Sequence, residues 1–233
     1  IILTFDDAYI DNYEFVTNFL ISKKINGSFF ICTDYINKNI PLWDWNLARL
    51  YKKNDKKYFL KFIKEKKIKL FNINNNDSNI LFSIINSLKK LEPLLRQQII
   101  SDFINENKLI FENNNIDRCL SWKELKEMYK NGMIIGSHGK SHSSLANLDL
   151  NKQEDEIINS KKIIEKNIGQ CDFFSLPFGS SIDYDINTIS IVKKAGYKLC
   201  ISNIQGFEYE NNKHFILKRK IMSDHSDLQN IFG

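Results

Sequence analysis

Apolar residues along this chain follow two alternating patterns. Short, nearly continuous apolar runs read as buried strands, and stretches with apolar residues at helical spacing lie between them. Ile1 to Phe5 is the first such run, too apolar for simple alternation. Asp6 to Asn12 reads as a polar turn, and Tyr13 to Lys24 carries Phe15, Phe19 and Leu20 at helical spacing. Asn26-Gly27 breaks that pattern before a second strand, Ser28 to Cys32. A strand–helix–strand opening predicts a parallel sheet with helical crossovers.

From about residue 41 to 115 the pattern is different. Lys-rich and Asn-rich stretches carry apolar residues at helical spacing with few β-branched alternations. Several helices are predicted, broken near Asn72 to Asp77 and at Pro93, with the Asn74–Asn76 and Asn113–Asn115 runs as loops. This is a helical insertion, placed to shape substrate access. Alternation then resumes. Ser121-Trp122-Lys123-Glu124 is a capping box opening a helix to about Asn131, with Gly132 as its stop. Met133 to Ser137 is a strand, and Asn151 with Glu154 starts a long amphipathic helix ended by Gly169. Phe173 to Leu176 and Lys198 to Ser202 are further strands, separated by a helix from about Ile186 to Ala195. Phe215 to Ile221 is the last strand predicted.

The chain has 233 residues, 42% of them hydrophobic, enough for one sizeable core, so a single domain over 1–233 is expected. The net charge of +5 is spread among many acidic residues and fits a solvated surface better than a nucleic-acid stripe; no nucleic-acid partner is expected. Cys32, Cys119, Cys171 and Cys200 lie far apart without CxxC spacing and read as buried free thiols. That usage favours a reducing, cytoplasmic compartment. No apolar run approaches the length of a membrane span and no signal peptide is visible. The chain opens inside a strand, so a periplasmic or membrane-associated location stays compatible. The sequence is silent on oligomeric state.

Chemistry concentrates where strands end. Asp6 and Asp7 close the first strand; His138 and His142, two of only four histidines, follow directly on the Met133–Ser137 strand. Pro177-Phe178-Gly179 closes another. Each feature alone has an ordinary reading: a turn and helix cap, a solvated polar loop, a tight turn. Together they sit where side chains of an α/β barrel converge on one mouth. Two neutral imidazoles and one carboxylate can hold a divalent ion with open positions, leaving a second carboxylate as a base. Spacing does not say which aspartate is which.

These residues resemble the polysaccharide deacetylase (NodB-homology) family of carbohydrate esterases. Thr4-Phe5-Asp6-Asp7 is similar to its first motif, TFDD, and His138 to His142 to its second, H-(S/T)-x-x-H, with Gly139 at the Ser/Thr position. Phe174 to Gly179 resembles the third motif. Pro41-Leu42-Trp43, Leu120-Ser121-Trp122 and Phe215 to Ile221 extend the similarity over nearly the whole chain, closest to members found with exopolysaccharide and lipopolysaccharide assembly. The resemblance implies a distorted, incomplete (β/α)7 TIM-like barrel. It implies Asp6 as general base, Asp7, His138 and His142 as metal ligands, and the backbone N–H of Phe178 as oxyanion donor. Zinc is the default metal, with cobalt, nickel or iron able to serve.

Two departures stand out. The family's third motif often carries an arginine that orients the base, and Ser175 and Leu176 offer none; Arg219, on the last strand, is the predicted substitute. The family's catalytic-acid histidine has no clear match, and His225, with His214, lies nearest its place. Tyr9, Pro177 and Gly179 are the expected substrate contacts. Trp43, Trp45 and Trp122 read as core rather than sugar platforms, and Lys140 as a solvated charge. The implied activity is hydrolytic removal of N-acetyl groups from amino sugars of a bacterial glycan or glycolipid. The alternatives are deformylation of a lipid-linked amino sugar, and a glycan-binding pseudo-enzyme.

Overall fold

Leu3–Phe5 (β1), Gly27–Ile31 (β2), Ile134–Ser137 (β3), Phe173–Ser175 (β4), Leu199–Gln205 (β5) and Ile216–Arg219 (β6) all join one parallel sheet in chain order. The computed structural model describes residues 1–53, 56–70, 77–106, 117–208 and 214–222. Among the described residues there are six strands, one fewer than the family resemblance implied. The sheet curls until its first and last strands face each other, with Arg219 Nη1 3.4 Å from Thr4 Oγ1. The result is an incomplete α/β barrel, with every strand pointing its C-terminal end at one mouth.

Local sequence explains why the crossovers start and stop where they do. Helix α6 (Trp122–Lys130) opens on the predicted capping box, Ser121 accepting from the Glu124 N–H and Glu124 accepting from the Ser121 N–H. Gly132 follows at φ +88°. The long helix starts earlier than its Asn151–Glu154 signature suggested. Asp149 caps it, accepting from the Lys152 N–H at 3.0 Å, and α7 (Leu150–Glu154) passes through a π-helical stretch, Asp155–Asn159, into α8 (Ser160–Ile168). Asp185 caps α9 (Ile186–Lys194).

The first strand and crossover depart from the plain pattern. A π-helical stretch, Asn12–Thr17, runs directly into α1 (Asn18–Ser22) and shifts the phase of the apolar stripe. Tyr13, Val16 and Leu20 face the core, while Phe15 and Phe19, two of the apolar residues at helical spacing, are exposed. Ile1 and Ile2 are exposed too, so the first run is a short strand at the sheet's edge rather than a buried one.

The insertion contributes α2 (Trp43–Lys53), α3 (Lys56–Glu65), α4 (Asp77–Leu88) and α5 (Pro93–Glu106). Pro93 opens α5, where its missing N–H would have no helical partner anyway. These helices form a second core beside the barrel's own, around Trp43, Leu47, Phe59, Phe62 and Phe103. Trp43 is buried as predicted, but Trp45 is half exposed because it lies on the outer face of α2 beside Tyr9. All four cysteines are buried free thiols. No helix of the described residues is long and apolar enough to cross a membrane.

Candidate active site

The strand ends bring together side chains far apart in sequence. Asp6 and Asp7 leave β1, His138 leaves β3, Pro177 to Gly179 leave β4, Asn203 lies within β5, and Arg219 ends β6. Asp7, His142 and Phe178 hold left-handed backbone conformations (φ +73°, +53° and +60°). Each costs about 1–3 kcal/mol for a residue with a Cβ, strain that concentrates at working sites. Gly139 shows why glycine replaces the Ser/Thr of the family motif. Its φ is +77°, and a Cβ there would come within 3.1 Å of Glu156 Oε2.

Three donor atoms converge. The Nε2 atoms of His138 and His142 both lie 3.6 Å from Asp7 Oδ1. One ligand atom from each residue falls within 4.8 Å of the others. Asp7 Oδ1 is buried and makes no hydrogen bond among the described residues, an orphaned acceptor that a cation would satisfy. The far ring nitrogens are engaged. His138 Nδ1 lies 2.7 Å from the Ser175 carbonyl, which can only accept, so the ring's lone pair is left on Nε2. His142 Nδ1 faces Asp44 Oδ1 at 3.3 Å. Two imidazoles and a carboxylate with engaged outer partners fit a divalent ion of the zinc type.

Asp6 lies beside that trio, its Oδ2 3.8 Å from His138 Nε2, and is held by other partners. Arg219 grips both its oxygens, Nη1 donating to Oδ1 at 3.1 Å and Nη2 to Oδ2, and Ser175 Oγ adds a bond at 3.3 Å. Arg219 also donates through Nε to Asn203 Oδ1 at 2.7 Å, and Asn203 Nδ2 donates to the Phe178 carbonyl at 2.7 Å. The guanidinium therefore sits where the sequence reading sought a substitute arginine, and it ties Asp6 to the third-motif loop through Asn203.

The charges respond to this packing. Burial would raise the Asp6 carboxyl, but the His138 ring and Arg219 outweigh it, and its pKa lies below the ordinary value. Asp7 goes the other way, up to about 7, through burial and the nearby Asp44 and Asp6 carboxylates, against the pull of His142. Burial pushes His138 down to about 4. Burial also works against a charged His142, but the Asp44 and Asp7 carboxylates overcome it and raise the ring to about 9.

Other predicted residues are placed less centrally. Tyr9 packs against Trp45 and bridges to Cys119, and its hydroxyl is pushed well up by burial and the Asp7 charge. Pro177 and Gly179 flank Phe178, whose ring lies 4.4 Å from that of His142. His225 lies outside the described residues. His214 is exposed and pairs with Glu208 at 3.4 Å. Lys140, predicted as a solvated charge rather than a substrate contact, pairs with the half-exposed Asp155 at 2.6 Å. Sequence reasoning missed Asp44 and Asn203. The available signal for Asn203 was a polar residue within the strand Ile201-Ser202-Asn203-Ile204, and for Asp44 an acid between two tryptophans.

Barrel, strand-end acids and paired histidines together define an α/β-barrel protein with a candidate two-histidine, one-carboxylate centre. The polysaccharide deacetylase family matches residues 1–200, and the chain belongs to that family. Among solved structures it is similar to the Streptococcus pyogenes deacetylase PplD (17% identity, TM-score 0.59, covering 99% of this chain and 68% of that one). It is also similar to the BpsB deacetylase domain from Bordetella bronchiseptica (13%, 0.57, 94% and 70%) and to IcaB from Ammonifex degensii (13%, 0.55, 96% and 67%). At these identities the likeness is one of fold. No curated protein matches the chain.

Proposed function

We propose that this protein is a metal-dependent hydrolase that removes N-acetyl groups from amino sugars of a polysaccharide or glycolipid. The reading is supported above all by one observation. Asp7 Oδ1, His138 Nε2 and His142 Nε2 converge around an unpartnered carboxylate oxygen, while a second carboxylate, Asp6, is held beside them by an arginine. Family membership agrees with it.

A divalent ion held by Asp7, His138 and His142 would polarise the acetyl carbonyl and ease deprotonation of water. The chain's own residues supply the rest. Asp6, kept ionised and oriented by Arg219, takes a proton from the attacking water at a carboxylate oxygen. The new C–O bond puts negative charge on the former carbonyl oxygen, which the backbone N–H of Phe178 meets. As the C–N bond breaks, the leaving nitrogen takes up a proton. The protonated Asp6 carboxyl would return it, unless His225, the donor proposed from sequence, supplies it.

Zinc-loaded protein incubated with N-acetylglucosamine oligomers should release free amine and acetate, followed by mass spectrometry. Release should stop on chelation and in Asp6→Asn. Amine release that survives both would overturn the mechanism. Zinc binding and glycan binding without release would instead identify a pseudo-enzyme.

A further inference from the structure

We propose that the helical insertion holds the metal ligand His142 in place, and that Asp44 is the positioning residue through which it sets the affinity of the centre for its ion. This rests on the reading of Asp7, His138 and His142 as a metal centre.

The two histidines of the pair are fixed by different parts of the molecule. His138 is set by the barrel alone: its N–H bonds the Ile31 carbonyl at 2.8 Å and its ring bonds the Ser175 carbonyl. His142 lies at the end of a loop, in a left-handed conformation that its own sequence does not favour. Three insertion residues grip it. Trp43 Nε1 donates to the His142 carbonyl at 2.8 Å. Arg96 Nη2 donates to the Ser141 carbonyl at 3.2 Å and to Ser143 Oγ at 2.9 Å, bracketing His142 on both sides. Its guanidinium stacks 4.2 Å from the Trp43 ring, which locks α5 to α2. Asp44, the residue next to Trp43, places its carboxylate on His142 Nδ1.

The barrel holds the same loop from its other side. Glu156, from the π-helical stretch, accepts from the N–H groups of Lys140 (2.7 Å) and Ser141 (3.0 Å). Glu156 fixes the loop's course but does not reach the His142 ring. Of these contacts, only the one from Asp44 acts on the imidazole itself. A carboxylate on Nδ1 orients the ring, fixes its proton on the outer nitrogen and makes Nε2 a stronger donor.

The test measures zinc dissociation constants of the full chain by competition with a chromophoric chelator, alongside melting temperatures of the metal-free proteins. Asp44→Ala should bind zinc about 10- to 100-fold more weakly than wild type, the range for loss of an outer carboxylate. Asp44→Asn, which can still accept from the ring but carries no charge, should fall between. His138→Ala should be weaker than either. Should Asp44→Ala fail to fold, Asp44→Asn decides alone. Asp44 variants that melt lower yet bind zinc as tightly as wild type, while His138→Ala does not, would overturn this proposal and leave the metal centre standing. A wild type that binds zinc no better than His138→Ala would overturn the metal centre and the proposal with it.

Discussion

In the barrel the buried side chains are mostly aliphatic: Ile31, Leu125, Ile135, Ile157, Ile164 and Val192 fill the space between sheet and helices. The insertion's core carries a larger share of rings among its aliphatic residues. Phe59 and Phe62 stand edge-on to Phe103, with centroids 4.5 and 4.9 Å away, and Tyr51 packs on Phe59. The contrast extends to the groups each region sends to the site. The barrel's strand ends and their loops deliver the acids and imidazoles; the insertion delivers a tryptophan N–H, a carboxylate and two buried cations. Arg96 reaches the histidine loop. Lys89, just past α4, pairs with Asp183 at 2.6 Å and lies 4.1 Å from the Phe178 ring. Chemistry is thus supplied by one region and steadied by the other.

Substitutions can break that division of labour. The largest loss is expected in the barrel. Asp6→Asn should lower kcat by about 10²–10⁴-fold, the usual worth of a positioned proton acceptor, with zinc affinity unchanged. A fall in zinc affinity instead would make Asp6 a ligand. Next comes the insertion's grip on the third-motif loop. Lys89→Ala removes the cation from the Asp183 carboxylate, whose side chain is 1% exposed but still accepts from Ser144 Oγ and Ser180, and should cost about 1–3 kcal/mol of stability in urea denaturation. An unchanged midpoint would mean that the insertion is merely appended to the barrel. Arg219→Ala should reduce kcat on the order of 10²-fold by letting Asp6 drift, with a smaller effect on KM. Turnover at the wild-type rate would remove Arg219 from the machinery.

The smallest effect lies far from the mouth, at the cap of α6. Burial works to raise the Glu124 carboxyl, but its bonds from Arg118 and Ser121 prevail and hold it down to about 2. A folded-state pKa depressed below the unfolded value near 4.5 stabilises the protein at higher pH. That contribution is full above about 4.5 and fades as the pH falls toward 2. Acid unfolding followed by circular dichroism should therefore begin at higher pH than in a Glu124→Gln variant compared with its own neutral-pH stability. Parallel acid profiles would exclude the link.

Much of the barrel was legible in the chain because its signals are local. The Ser121–Glu124 box, Gly132 and Gly169 mark helix ends through bonds spanning a few residues, and the apolar runs mark strands. The Asp6-Asp7 and His138–His142 pairs could be read because strand ends of such a barrel share one mouth. What escaped depends on distance or on phase. Asp44 meets His142 across 98 positions and Arg219 meets Asp6 across 213, so only the family's missing arginine pointed to the second. The exposure of Phe15 and Phe19 was not legible because a π-helical turn rotates the stripe, which a constant period of 3.6 does not foresee.

The thiols divide along the same line as the two cores. Cys32 and Cys119 are buried within the insertion's core, at its seam with the barrel; Cys171 and Cys200 are buried within the barrel. A sulfhydryl reagent can reach none of them in the native state, so alkylation reports transient opening rather than surface reactivity. Labelling at the first pair ahead of the second would reveal the insertion lifting away while the barrel stays shut, a motion that these native residues record without any added probe.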